Sequence, residues 1–223
     1  MTDVKNNIAK IISTLPQNVE LLAVTKFHPV GVLREAYDYG LRHFGENRVQ
    51  ELLAKQPQLP QDIKWHFIGH LQTNKVKQII GRVEIIESVD TLRLLNIIDR
   101  ESKHAGIVTK VLLQLHVARE ETKFGFSVDE LMDFFANHSF DTLEATHICG
   151  LMGMASNTDD VGRIKSDFRQ ISRCFNLLKN DKRLGLQGFD ILSMGMTNDY
   201  KIAVNEGSNH VRIGTAIFGK REY

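Results

Sequence analysis

Apolar, strand-like segments alternate with amphipathic helical ones along the whole of this 223-residue chain, and few architectures satisfy such an alternation. Residues 21–25, Leu-Leu-Ala-Val-Thr, are apolar or β-branched without polar interruption, as in a parallel strand buried on both faces. Residues 63–68, 83–87, 108–117, 143–152, 189–192 and 210–213 read as further strands, while 42–45 is too short to judge by periodicity. Between them, helical spacing appears over 30–39, 46–54, 73–80, 127–137, 159–178 and 199–204, and in a helix that Asp90 is expected to cap. Ser127 and Glu130 form a capping-box pattern at one helix start. Eight such units predict an α/β chain folded as a single (β/α)8 barrel over residues 1–223, with an open doubly wound sheet as the alternative. Val4, Ile8, Ile11, Ile12 and Leu15 add an amphipathic N-terminal helix ahead of the first strand.

Composition removes several function classes. With 28 basic and 27 acidic residues the net charge is +1, which provides no field for nucleic acid or an anionic membrane. No run of eighteen apolar residues occurs, and the polar start Met-Thr-Asp-Val-Lys is unlike a signal peptide, so a cytoplasmic protein is expected. Two cysteines cannot build a disulfide framework and suit buried positions in a reducing compartment.

In barrels, ligands sit at the carboxyl ends of the strands. Lys26 closes the first strand there, and a lysine so placed forms a Schiff base with a carbonyl when its surroundings lower its pKa. The segments 193–199 and 214–216 follow strands seven and eight, where barrels often hold a phosphate. Ser193 and Thr215 supply hydroxyls, and Gly195 and Gly214 permit close backbone approach. Arg212 lies within an apolar strand, so its guanidinium needs either a structural carboxylate or a ligand group. His66 and His70 are four apart but span a strand end, so they are not read as a zinc pair. The glycines of Gly150-Leu-Met-Gly153 match neither a dinucleotide fingerprint nor a Walker loop. Lys123, before Phe124-Gly-Phe126, reads as a solvated loop lysine or an anion contact.

At Leu21-Leu-Ala-Val-Thr-Lys26, Phe44-Gly-Glu-Asn47, Trp65-His-Phe-Ile-Gly-His-Leu-Gln-Thr-Asn-Lys75, Ser88-Val-Asp90, Ser193-Met-Gly-Met196 and Val211-Arg-Ile-Gly-Thr-Ala-Ile-Phe-Gly219, the chain resembles the pyridoxal-phosphate homeostasis protein family. The segments recur in order across nearly its full length. The resemblance implies a barrel like the alanine racemase N-terminal domain, with pyridoxal 5′-phosphate (PLP) held as a Schiff base on Lys26. It further implies that Ser193, Gly214 and Thr215 hold the phosphate, that Arg212 faces the pyridine nitrogen and that Asn47 lines the cofactor. Thr197 stands where the family usually has serine, and Thr122-Lys123-Phe124 departs from its common pattern. The expected role is homeostasis of PLP without established turnover, in a monomer whose partners are PLP and PLP-requiring apoenzymes. No metal belongs to that expectation.

The alternative is a PLP-dependent racemase-like enzyme. Two features weigh against it. Arginine stays protonated and can only donate, so it leaves the ring nitrogen neutral and a poorer electron sink. A racemase of the alanine racemase type also takes a tyrosine from a carboxyl-terminal β domain, for which the chain leaves no room after its eighth strand.

Overall fold

A computed structural model describes residues 3–119 and 124–219. Eight parallel strands close into a barrel in the order β1-β2-β3-β4-β5-β6-β7-β8, each pairing with its neighbours in sequence, and β8 returning to β1. They are β1 (Glu20–Val24), β2 (His43–Glu46), β3 (Lys64–Phe67), β4 (Ile85–Val89), β5 (Thr109–Leu115), β6 (Thr146–Gly153), β7 (Ile191–Ser193) and β8 (His210–Ile213). The helices are α1 (Val4–Ile12), α2 (Val30–Tyr39), α3 (Val49–Lys55), α4 (Val76–Ile79), α5 (Leu92–Ala105), α6 (Val128–Ala136), α7 (Val161–Asn180), α8 (Tyr200–Asn205) and α9 (Thr215–Phe218).

The main core lies between the sheet and the helices. Leu33 and Ala36 of α2, Leu94 and Ile98 of α5, and Phe168 and Ile171 of α7 are all buried against strand residues such as Leu21, Phe44 and Val111. These helices recur every turn with one apolar face, so burial of that face, more than propensity, fixes their place. The expected N-terminal helix is present as α1, which packs beside α2 and α9 and ties itself to the latter when Asn7 Nδ2 donates to the Ile217 carbonyl at 3.0 Å.

Several expected boundaries move. Residues 42–45, unreadable by period, form a strand whose last residue is Glu46; the following helix therefore begins at Val49. Strand four lies two residues later than expected. Asp90 does not cap α5: Thr91 does, its hydroxyl accepting from the Leu94 amide at 3.2 Å, because Asp90 is occupied by His70 Nδ1 at 2.7 Å. The Ser127–Glu130 capping box forms as expected. Lys123 lies outside the described residues.

The barrel interior holds unusual polarity. Ile85, Leu112, Cys149 and Met152, from β4, β5 and β6, form a small apolar cluster of their own. His66, Glu87, Ser193 and Arg212, all at most 4% exposed, bond to one another between β3, β4, β7 and β8.

Candidate functional site

Strand β1 delivers Lys26 to the carboxyl rim of the barrel, and the chain then turns sharply, with Phe27 at φ 66°. That turn is held from below by a buried ion cluster. Lys55 Nζ donates to Glu46 Oε1 at 2.6 Å, to Glu51 Oε2 at 3.0 Å and to the Thr25 carbonyl at 2.9 Å. Glu51 Oε2 also accepts from the Phe27 amide at 2.8 Å, and the Thr25 hydroxyl donates to Glu46 Oε1 at 2.7 Å. The residues on both sides of Lys26 are thus clamped by α3 and the end of β2. Burial raises the Glu46 carboxyl above its ordinary range, against the pull of Lys55 and Thr25.

Strand β8, paired directly with β1, and β7 beyond it bring in the adjoining wall. Arg212, 4% exposed, donates through Nη1 to the Ser193 carbonyl at 2.8 Å and to Ser193 Oγ at 2.7 Å, and through Nη2 to the Gly153 carbonyl at 3.0 Å. Ser193 Oγ in turn donates to Glu87 Oε2 at 2.7 Å, and Glu87 Oε1 accepts from His66 Nδ1 at 2.7 Å. Glu87 is fully buried, yet the His66 hydrogen bond and the charge of Arg212 overcome desolvation and hold its carboxyl down at about 2. The carboxylate that balances Arg212 therefore acts through a serine between them. The Thr197 hydroxyl, after β7, accepts from the Ala216 amide at 3.4 Å and joins the two rim loops.

A cavity of about 540 Å³ opens between these walls. Lys26, Arg212, Gly214 and Thr215 line it, together with His28, Ser156, Thr197 and Asp199, at a size ordinary for small-molecule sites. The wall after β6 is braced by Asp167, 1% exposed, which accepts from the Ser156 amide at 2.8 Å and pairs with Arg163 at 2.8 Å. Asn47 and Ser193 lie outside the lining. Asn47 follows β2 beside β1, its Oδ1 buried without a hydrogen-bond partner, and a Cβ on Gly69 would overlap its carbonyl. Ser193 sits behind Arg212, its hydroxyl engaged on both sides. His66 points into the barrel, while His70, 42% exposed in its side chain, pairs with Asp90 and stacks on Phe124 at 3.9 Å.

Sequence reasoning overlooked Lys55, Glu46 and Glu87 as parts of this site. Glu87 carried a readable signal, an acid inside an apolar strand of a parallel sheet. Lys55 carried none, because a lysine in the last turn of a helix usually points to solvent.

Comparison with known proteins agrees with this fold. The family model described as alanine racemase, N-terminal domain, matches residues 1–222. A protein of Aquifex aeolicus named pyridoxal phosphate homeostasis protein is 39% identical over 207 residues, 92% of this chain and 88% of its own. One of the same name from Escherichia coli is 32% identical over 100% of this chain and 99% of its own. The structure of PipY from Synechococcus elongatus with PLP bound superposes with a TM-score of 0.88 at 34% identity, over 97% of this chain and 100% of that one. Alanine racemase of Clostridium difficile shares the fold, with a TM-score of 0.76 at 14% identity, over 99% of this chain and 57% of that one. The chain belongs to the pyridoxal phosphate homeostasis protein family, whose barrel is that of the alanine racemase N-terminal domain.

Proposed function

We propose that this protein binds PLP covalently through Lys26 and serves the homeostasis of that cofactor. The carrying observation is that Lys26, from the end of β1, and Arg212, Gly214 and Thr215, from the end of β8, line one cavity. The donor set fits the group: an amine for its aldehyde, a guanidinium for its ring nitrogen, and a hydroxyl with backbone beside a tight glycine for its phosphate. A Cβ at Gly214 would lie 3.1 Å from the Val24 carbonyl, so a larger residue would crowd that corner. The unpartnered Asn47 Oδ1 is one further acceptor on the β2 side of the rim.

When bound, PLP supplies an electrophilic carbonyl carbon and an electron-accepting ring. Lys26 attaches to that carbon with loss of water, from a backbone fixed on both sides by Lys55 and Glu51. Arg212 presents a permanent cation to the ring nitrogen and withholds a proton from it. Ser193 works from behind, orienting Arg212 and linking it to Glu87, instead of contacting phosphate. A donor that leaves the ring neutral suits holding the cofactor better than running carbanion chemistry, and the relatives are named for homeostasis and not for a reaction. The reading extends to a monomeric cytoplasmic barrel that exchanges PLP with apoenzymes.

Absorption spectra and intact masses after borohydride reduction, for wild type and Lys26→Ala, test the assignment. One phosphopyridoxyl group added to wild type alone supports it, and equal labelling of Lys26→Ala removes it. Solvent-deuterium exchange at the α-carbon of an amino acid by loaded protein would shift the reading to a racemase-like enzyme.

A further inference from the structure

The amino-terminal half of the barrel interior carries a second polar cluster, away from the PLP rim. His43 opens β2, His210 opens β8, and His66 and Glu87 lie midway along β3 and β4. The three imidazoles form a triangle, with ring centroids 5.2 Å apart for His43–His66, 5.9 Å for His66–His210 and 6.3 Å for His43–His210. Gathering three histidines at one end of the barrel, one wholly buried and two half-buried, is costly, since each enclosed ring nitrogen needs a partner. One has none: His210 Nδ1 is buried and unpaired.

We propose that His66, Glu87 and His210 form a binding site for a divalent transition metal of the zinc class. One donor atom from each residue lies within 4.8 Å of the others, and this is the set of three His, Cys, Asp or Glu donors that converges among the described residues. Two imidazoles and a carboxylate with an open fourth position are a common zinc donor set. Bonds of about 2.1 Å in tetrahedral geometry place donors about 3.4 Å apart, so His210, whose Nδ1 is unpaired, closes in by on the order of 1 Å through rotation of its ring, while the His66 Nδ1–Glu87 Oε1 pair, 2.7 Å apart, opens to admit the ion.

An outer shell is already built. In the metal-free protein the Glu87 carboxylate accepts from His66 Nδ1, and His66 Nε2 lies 3.0 Å from His43 Nδ1. With the metal on His66 Nδ1, the ring proton moves to Nε2 and is donated to His43 Nδ1. His43 then carries its own proton on Nε2, facing Glu20 Oε1 at 3.8 Å. No net proton is lost, and the ligating histidine gains the second partner such ligands usually have. Arg212 and Lys64 oppose the added charge; Glu87 and the half-exposed Glu20 at the barrel mouth favour it. The proposal does not depend on PLP, although Glu87 joins the two regions through Ser193 and Arg212.

The test is zinc titration by calorimetry on tag-free, PLP-stripped protein, with cobalt(II) absorption as a second readout. Wild type should take up one ion per chain and show the visible bands of four-coordinate cobalt. His210→Phe and His210→Met should each lose more than the roughly 10–100-fold expected for an outer-shell residue, and His43→Phe should fall within that range. A Cys149→Ala/Cys174→Ala variant should bind as wild type does. Circular dichroism confirms that each variant is folded, and the paired His210 replacements guard against one of them failing to fold. Absence of stoichiometric uptake, unchanged affinity in a folded His210 variant, or loss of uptake in the double cysteine variant would each overturn the site.

Discussion

Lys55 Nζ donates to the carbonyl of Thr25 at 2.9 Å, so a lysine from α3 holds the backbone one residue ahead of Lys26. Glu51, on the same helix, accepts from the amide of Phe27, one residue behind it. Lys26 therefore stands on a strand end that cannot twist without breaking a buried ion cluster. This explains how a lysine on a long, flexible stem can be presented from a fixed origin, and why Phe27 tolerates a positive φ.

Lys55→Met should destabilise the protein by about 3–5 kcal/mol, because Glu46, wholly buried, loses its cation. The Glu46 carboxyl, already raised by burial, then rises further. A carboxyl raised in the folded state binds more protons there than when unfolded, so stability should fall as pH rises through and above the ordinary carboxylate range. Urea unfolding at pH 5 and 8 should show this slope in Lys55→Met and lose it in Lys55→Met/Glu46→Gln. Equal stability of Lys55→Met and wild type would show that the cluster is solvated.

Acid should loosen the barrel well before Glu87 protonates. His43 and His210 are both held near 4, chiefly by burial, below their ordinary 6.5. The groups facing them are Glu20, Lys64 and His66 for His43, and Glu87, His66 and Arg212 for His210. The folded state thus binds fewer protons than the unfolded chain between those values, and stability falls as pH drops from 6.5 towards 4. Glu87 acts lower down, its contribution persisting until pH falls below 4.5 towards about 2. In chelator-treated protein, His210→Phe should remove about 2 kcal/mol of the difference in unfolding free energy between pH 7 and pH 5.

The strand order and closure were legible because each buried strand had to be continuously apolar and each helix had to show one apolar face. Residues 21–25 and 210–213 read directly for that reason. The His43–Glu46 strand did not, since two of its four residues are a histidine and an acid whose partners, His66 and Lys55, come from elsewhere in the chain. Lys26, Arg212, Gly214 and Thr215 were legible as a group because strand ends meet at one rim. The placement of Ser193 behind Arg212 was not, as it depends on a hydrogen bond to Glu87, 106 residues away.

Gly195→Ala should weaken cofactor retention at little cost to the barrel core. Gly195 has φ 92°, and an added Cβ would lie 2.6 Å from Ala203 Cβ and 2.8 Å from Tyr200 Cα, so the loop after β7 must move away from α8. That loop carries Met196 to Asp199 on the cavity wall, and the Gly195 carbonyl accepts from the Arg212 amide at 2.9 Å. Dialysis of PLP-loaded protein should show faster loss of chromophore than in wild type, and an unchanged rate would place the loop outside the binding site.

Arg212→Lys separates charge from geometry. The lysine keeps a cation in the barrel but, as a single point donor, cannot serve the Ser193 carbonyl, the Ser193 hydroxyl and the Gly153 carbonyl in the plane that the guanidinium provides. At least one buried carbonyl then loses its partner, a cost of about 1–3 kcal/mol in stability. The lysine can also surrender its proton when buried, whereas the arginine, though pulled below its ordinary value by burial, remains charged. A neutral lysine beside the ring nitrogen would remove the electrostatic bias against protonating that nitrogen. The absorption band of PLP-loaded Arg212→Lys should therefore shift with pH over a range where the wild-type band is constant. A pH-independent spectrum in a folded, loaded variant would show that Arg212 serves the barrel interior and does not face the ring.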